Sequence, residues 1–297
     1  MFTGLSAFPL TPLTDKGIDE KSFVRLMSRL VIAGVDSIGA LGSTGSYAYL
    51  KHSERDRVAR LAVEHAEGIP VMVSIGSVRT SDVLHLAEDA QRAGVSAVLL
   101  APVSYQKLTS DEVFMLYETV TRHLSVPLCV YDNPATTHFD FTDELYGRIA
   151  QLPHVASIKI PGLSADPVAT QKRLAALRPL VPAHVTLGAA GDLAAATVLT
   201  QGGDVWYSVI AGLFPEIPVA ITRAAQNGDT QTAQALSAQL EPLWEMFRQH
   251  GSLRVVAAAA EILGLVSAPC LPLPLQSVTG DQRQRLERVI EALNLRA

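Results

Sequence analysis

Three places in this chain carry side chains suited to covalent chemistry on a small molecule. The run H-V-A-S-I-K-I-P-G, His154 to Gly162, sets Lys159 among Val155, Ala156, Ile158 and Ile160. Lysine is rarely buried unless it is paired or chemically employed. An amine near the end of an apolar strand is disfavoured in its charged form, and its free form condenses with a carbonyl as a Schiff base. The plainer alternative is a stem packed along the core with its amine reaching solvent or a carboxylate. The turn G-S-T-G-S, Gly42 to Ser46, offers backbone N–H groups and the Ser43 and Thr44 hydroxyls to a carboxylate. The same residues also suit an ordinary strand-to-helix turn. Tyr131, opening Y-D-N-P, can carry a proton or simply bury a ring with its hydroxyl satisfied.

Other chemistries lack their residues. No G-K-[ST] follows the glycine-rich turn, which rules out a P-loop. The eight histidines show neither H-x-x-x-H nor H-E-x-x-H spacing, and Cys129 and Cys270 form no C-x-x-C. A metal centre and a disulfide framework are therefore both unexpected. G-A-A-G-D, Gly188 to Asp192, fits a phosphate loop but reads better as a helix cap through Asp192. A net charge of -5 with no basic block lacks the footprint of a nucleic-acid binder. No apolar run reaches the roughly 18 residues of a membrane span. Met1 to Thr14 has no signal-peptide pattern. The expectation is a cytoplasmic protein that uses no cofactor and no metal.

Positioning these groups requires a scaffold, and the chain has one. Short runs, apolar at nearly every residue, fall at Thr3–Phe8, Asp36–Leu41, Pro70–Ile75, Ala97–Ala101, Pro127–Tyr131, Val155–Ile160, His184–Leu187 and Val205–Val209. That pattern predicts strands covered on both faces. Helical spacing lies between them, as at Phe23, Val24, Leu26, Met27, Leu30 and Val31 within Lys21–Ile32. Thr109 with Glu112 has the capping-box pattern, Ser53 with Asp56 a weaker form of it, and Asp166 before Pro167 reads as an N-cap. Eight strand–helix units with no G-x-G-x-x-G after the first strand predict a (β/α)8 TIM barrel over residues 1–226. Helices at Thr230–Phe247, Ser252–Leu263 and Asp281–Leu295, interrupted by the proline-rich Ala268–Leu275, form a C-terminal extension, 227–297, packed on the barrel.

Such a barrel builds its site at the C-terminal ends of its strands. Ser43 and Thr44 after the second strand, Tyr131 ending the fifth and Lys159 near the end of the sixth would then share one mouth. Together they supply a carboxylate cradle, a proton carrier and an electrophile-capturing amine. Those are the parts that activate a 2-oxo acid through an imine and its enamine.

The order G-S-T-G at 42–45, Y-D-N-P at 131–134 and I-K at 158–159 resembles the dihydrodipicolinate synthase/N-acetylneuraminate lyase family over nearly the whole chain. The resemblance implies a lyase of class I aldolase type, free of metal and organic cofactor, built as a homotetramer that is a dimer of dimers. Carried over by residue, it makes Lys159 the Schiff-base lysine for pyruvate or another 2-oxo acid and Tyr131 the proton donor and acceptor. Ser43 joins that tyrosine in a relay, and Thr44 with nearby amides holds the carboxylate.

The departures fall on the second substrate's side. Family synthases carry an arginine where Y-D-N-P-A-T-T-H has Thr136, so a bidentate grip on a carboxylate is lost. The family's G-T-T-G-E ends here in Ser46. The tyrosine that the family lends across a subunit interface is replaced by Ser104, with Tyr105 beside it as a possible substitute. Tyr207, in the eighth strand, is a further substrate-binding candidate. The reading is a lyase, aldolase or dehydratase acting on a 2-oxo acid with an unidentified second substrate. Genuine dihydrodipicolinate synthesis and a non-catalytic acid-binding barrel are its competitors.

Overall fold

The computed structural model describes residues 1–296. Eight strands, β1 Gly4–Ala7, β2 Ser37–Ala40, β3 Val71–Ser74, β4 Ala97–Leu100, β5 Leu128–Tyr131, β6 Val155–Ile160, β7 Thr186–Ala190 and β8 Val205–Ser208, pair in parallel and close into a barrel. Helices follow the strands and cover the barrel, as the alternating order requires. The fold is the predicted (β/α)8 TIM barrel followed by C-terminal helices.

Period-two alternation divides each strand between two cores. On β5, Leu128 and Val130 face outward into the layer between strands and helices, while Cys129 and Tyr131 face the barrel interior. Ile158 and Ile160 of β6 join the outer layer. Their alternation turns Ser157 and Lys159 inward. The interior is filled by Phe2, Phe8, Met72, Leu99, Val205 and Tyr207 with the β5 pair. Strands buried on both faces explain why they read as continuous apolar runs.

Helix termini follow their local chemistry. Asp19 caps the helix Glu20–Ala33 by accepting from Ser22 N–H at 3.1 Å, and Gly34 closes it in the left-handed conformation. The Thr109–Glu112 box forms reciprocally, and Asp166 accepts from Val168 N–H at 3.0 Å. The Ser53–Asp56 expectation fails. The helix starts at His52, and the Glu54 carboxylate takes the N–H of Lys51 at 2.7 Å. Asp56 instead pairs with Arg60 one turn on.

Two further corrections concern boundaries. β7 begins and ends later than expected, because Val185 N–H is spent on a turn to Pro182 C=O and pairing with β6 starts at Thr186. Its last three residues, Gly188–Ala190, are small and lie in what reads as a loop from sequence. The single helix expected over Thr230–Phe247 is two, Thr230–Gln239 and Glu241–His250, divided at Leu240. Pro242 has no N–H to continue the first helix and suits the first turn of the second. The helices Ser252–Ile262 and Gly280–Ala292 complete the C-terminal part, and its Leu243, Trp244, Val255 and Val256 share the outer core of the barrel.

Candidate active site

Lys159 projects into the barrel from the penultimate residue of β6, in register with Tyr131 of β5 and Gly188 of β7. It is 5% exposed. Among the described residues no carboxylate lies within ion-pair distance of its amine, so the paired alternative for a strand lysine does not hold. Aromatic faces surround Nζ instead. The ring centroid of Phe8 is 4.0 Å away, that of Tyr131 4.1 Å and that of Tyr207 5.6 Å. Nothing in the sequence marks Phe8 for a place beside the amine. Its place depends on Gly42, where a Cβ would stand 2.5 Å from Phe8 Cδ1.

Tyr131, also buried, turns its hydroxyl to Ser43 Oγ at 3.3 Å. Asn133 Nδ2 donates to the same Ser43 oxygen at 3.4 Å. Asn133 lies within the Y-D-N-P motif, yet nothing in its residue type singled it out. Thr44 is buried in the same turn as Ser43. The turn is conformationally unusual. Leu41 at φ 57° and Ser46 at φ 53° are both non-glycine residues in the left-handed region, which costs of order 1–3 kcal/mol each and concentrates at functional sites. The structure thus brings Lys159, Tyr131, Ser43 and Thr44 together at the barrel mouth.

The remaining candidates are placed differently. Tyr207 is fully buried, and its hydroxyl points one layer below Lys159. It meets Ser157 Oγ at 2.5 Å and accepts from Cys129 Sγ at 3.3 Å. Its ring floors the site while its hydroxyl is committed to this lower network. Burial pushes the Tyr207 hydroxyl well above its ordinary range and the Cys129 thiol up to about 11. Gly188 makes room for the ring, since a Cβ there would stand 2.6 Å from Tyr207 Cε2 and 2.4 Å from Val205 Cγ1. Tyr105 is 90% exposed. Thr136 is exposed on the short helix Pro134–Thr137, its hydroxyl donating to Asn133 C=O at 3.3 Å.

Asp192 does not cap the following helix, contrary to expectation. Its buried carboxylate accepts from Trp206 Nε1, Ser208 Oγ, Val209 N–H and Ile210 N–H at 2.9 to 3.1 Å, tying the end of β8 to the loop after β7. Beside that loop, a cavity of about 80 Å³ is lined by Leu163, Ala189, Ala190, Gly191, Leu193 and Ala194. No charged side chain lines it. Among the described residues there is no cluster of three or more potential metal ligands, and no helix is long and apolar enough to cross a membrane.

The chain as a whole has counterparts among known proteins. The model of the dihydrodipicolinate synthetase family matches residues 1–293. The chain belongs to this family. A 4-hydroxy-tetrahydrodipicolinate synthase of Methylococcus capsulatus is 31% identical over 96% of the chain and 95% of its own length. A crystal structure of a dihydrodipicolinate synthase from Agrobacterium tumefaciens superposes with a TM-score of 0.94 at 43% identity, covering 98% of both chains. A putative dihydrodipicolinate synthetase from Pseudomonas aeruginosa does so with a TM-score of 0.90 at 29% identity, covering 99% of this chain and all of that one. As a member of the dihydrodipicolinate synthetase family, the protein is a lyase of class I aldolase type.

Proposed function

We propose that the protein condenses Lys159 with pyruvate or a related 2-oxo acid and makes or breaks a bond at the adjacent carbon. The observation that carries this reading is the buried Lys159, whose amine has no carboxylate partner among the described residues and lies against the ring of Tyr131. Nζ attacks the C2 carbonyl, the carbinolamine loses water, and an imine forms. Tyr131 passes the protons that these steps and the imine-to-enamine conversion require, and Ser43 Oγ extends its hydroxyl chain. Thr44 and the N–H groups of its turn hold the substrate carboxylate. In the synthetic direction the enamine carbon adds to an electrophile, or its electron pair expels a leaving group from the carbon beyond it. In the cleavage direction the C3–C4 bond of the imine breaks, releasing an aldehyde and leaving the enamine to be protonated. Water then hydrolyses the final imine and frees Lys159.

The second substrate differs from that of a lysine-biosynthetic synthase in this reading. Thr136 replaces the bidentate guanidinium expected there, and the cavity at the end of β7 is apolar. The names of the similar proteins favour a second reading, dihydrodipicolinate synthesis itself. Turnover of pyruvate with aspartate semialdehyde separates the two. A rate no higher than background, alongside deuterium exchange at the pyruvate methyl group, supports the first. Ordinary enzymatic turnover establishes the second. Loss of both reactions would leave a binding protein. The assembly proposed is the homotetramer implied by family resemblance, to be checked by sedimentation.

A further inference from the structure

Behind the reacting layer lies a polar pair that the imine chemistry does not use. Asp132 follows Tyr131, and alternation turns its side chain out of the barrel toward the helices. There it is 4% exposed, and its Oδ2 accepts a hydrogen bond from Tyr146 Oη on the helix Asp143–Ala150. Oδ1 has no partner among the described residues. A carboxyl so placed costs free energy unless its hydrogen bonds compensate.

The backbone of the same residue sits at the centre of the site. Asp132 N–H donates to Lys159 C=O at 3.2 Å. The residues on either side, Tyr131 and Asn133, both reach Ser43 Oγ. Fixing one side chain therefore fixes the presentation of three site residues. We propose that the Asp132–Tyr146 hydrogen bond is a latch from the helix layer, tightest with the carboxyl ionised, that positions Tyr131, Asn133 and Lys159. Charge-assisted hydrogen bonds are roughly twice as strong as neutral ones, which gives the latch its dependence on ionisation.

Four groups face Asp132 from the surrounding elements. Tyr146 donates to it, Asp140 repels its charge, and Arg173, paired with Asp143, favours that charge from the helix Pro167–Leu177. Tyr117 approaches from the helix Ser110–Thr121. Burial outweighs the favourable contacts and holds the carboxyl at about 6. The latch therefore tightens as pH rises through that value and slackens as pH falls.

The test rests on the imine reading and uses pyruvate as probe, following deuterium exchange at its methyl group from pH 5 to 8. The wild-type rate should fall on an acid limb near pH 6. Tyr146→Phe removes a donor to the ionised carboxyl, so the rate at pH 7.5 should drop at least tenfold and the limb should move upward. Asp132→Asn keeps a neutral acceptor and should run flat near the wild-type low-pH rate. A role in stability alone would lower Tm and leave the limb in place; unchanged rates and profiles in both variants overturn the latch. Absence of exchange in the wild type is a failure of the imine reading. The latch is then decided by amide hydrogen exchange of the ligand-free proteins. Tyr146→Phe should speed exchange at residues 129–133 at least tenfold more than in the rest of the barrel. Equal change throughout overturns it.

Discussion

Tyr131 and Lys159 are register partners on adjacent parallel strands, and the lysine amine lies 4.1 Å from the centroid of the tyrosine ring. The pairing sets the proposed nucleophile beside the proposed proton carrier using two strand ends, more precise positions than loops provide. Ser43, from the turn after β2, lies between two non-glycine residues in the left-handed conformation, Leu41 and Ser46.

Removing the Tyr131 hydroxyl should separate capture from proton transfer. Tyr131→Phe keeps the ring against Lys159 and should still permit slow imine trapping. Exchange at the pyruvate methyl group should fall by about 10²–10⁴, the usual contribution of a positioned acid–base group. Ser43→Ala, which leaves Tyr131 in place, should cost less. Proton NMR in heavy water measures both. Equal loss of trapping and exchange in Tyr131→Phe would assign the residue to binding instead.

Gly188 tests the packing beneath the amine. A methyl group there meets Val205 Cγ1 at 2.4 Å and Tyr207 Cε2 at 2.6 Å, so the floor of the site must shift. Gly188→Ala should destabilise the protein by about 1–3 kcal/mol, the typical cost of overpacking. Urea unfolding measures the loss, and an unchanged midpoint would show that the floor yields freely.

Tyr207→Phe makes the opposite case. It preserves the ring and deprives Ser157 and Cys129 of a buried partner. Stability should fall by about 1–3 kcal/mol, while pyruvate exchange remains within a fewfold of wild type. A larger catalytic loss would mean that the hydroxyl serves the reaction rather than the floor.

The Asp132 carboxyl predicts a pH dependence of stability. Its folded value is about 6, above the ordinary carboxyl value of 3.8. A raised carboxyl contributes stability that is full below the unfolded value and lost as pH rises through the folded one. Asp132→Asn removes this dependence. The variant should therefore gain on the wild type between pH 4 and 8 by on the order of 3 kcal/mol. Denaturant midpoints across that range check it; a constant difference between the two proteins contradicts the shift.

The location of the candidate site was legible where a strand's pattern met a residue that the pattern does not explain. Lys159 stood out because isoleucines flank it, and alternation is what then turns it inward against Tyr131. The barrel followed from strands apolar at nearly every position. Other features depend on directions that sequence does not carry. Phe8 reads as ordinary core, and only the glycine-lined mouth turns its face to the amine. Tyr207 is inward-facing, as a substrate contact must be, yet its hydroxyl points down to Ser157. Asp192 has the composition of a cap for the helix that follows it but spends its oxygens on the end of β8 and the backbone just beyond it. The end of β7 was hidden because Gly188–Ala190 lack the bulk that marks a strand, and Pro242 divides a helix whose apolar spacing continues across it. Asp132 resembles a turn residue in Y-D-N-P, and Tyr146, the partner that gives it meaning, is fourteen residues away.

The central claim is that Lys159 captures a 2-oxo acid. Incubation with pyruvate and borohydride, followed by intact mass and peptide mapping, tests it most directly. The account predicts one reduced pyruvyl group per chain, carried on Lys159 and absent from Lys159→Arg. An unmodified Lys159 with pyruvate and with a panel of other 2-oxo acids, or modification that persists in Lys159→Arg, would contradict it.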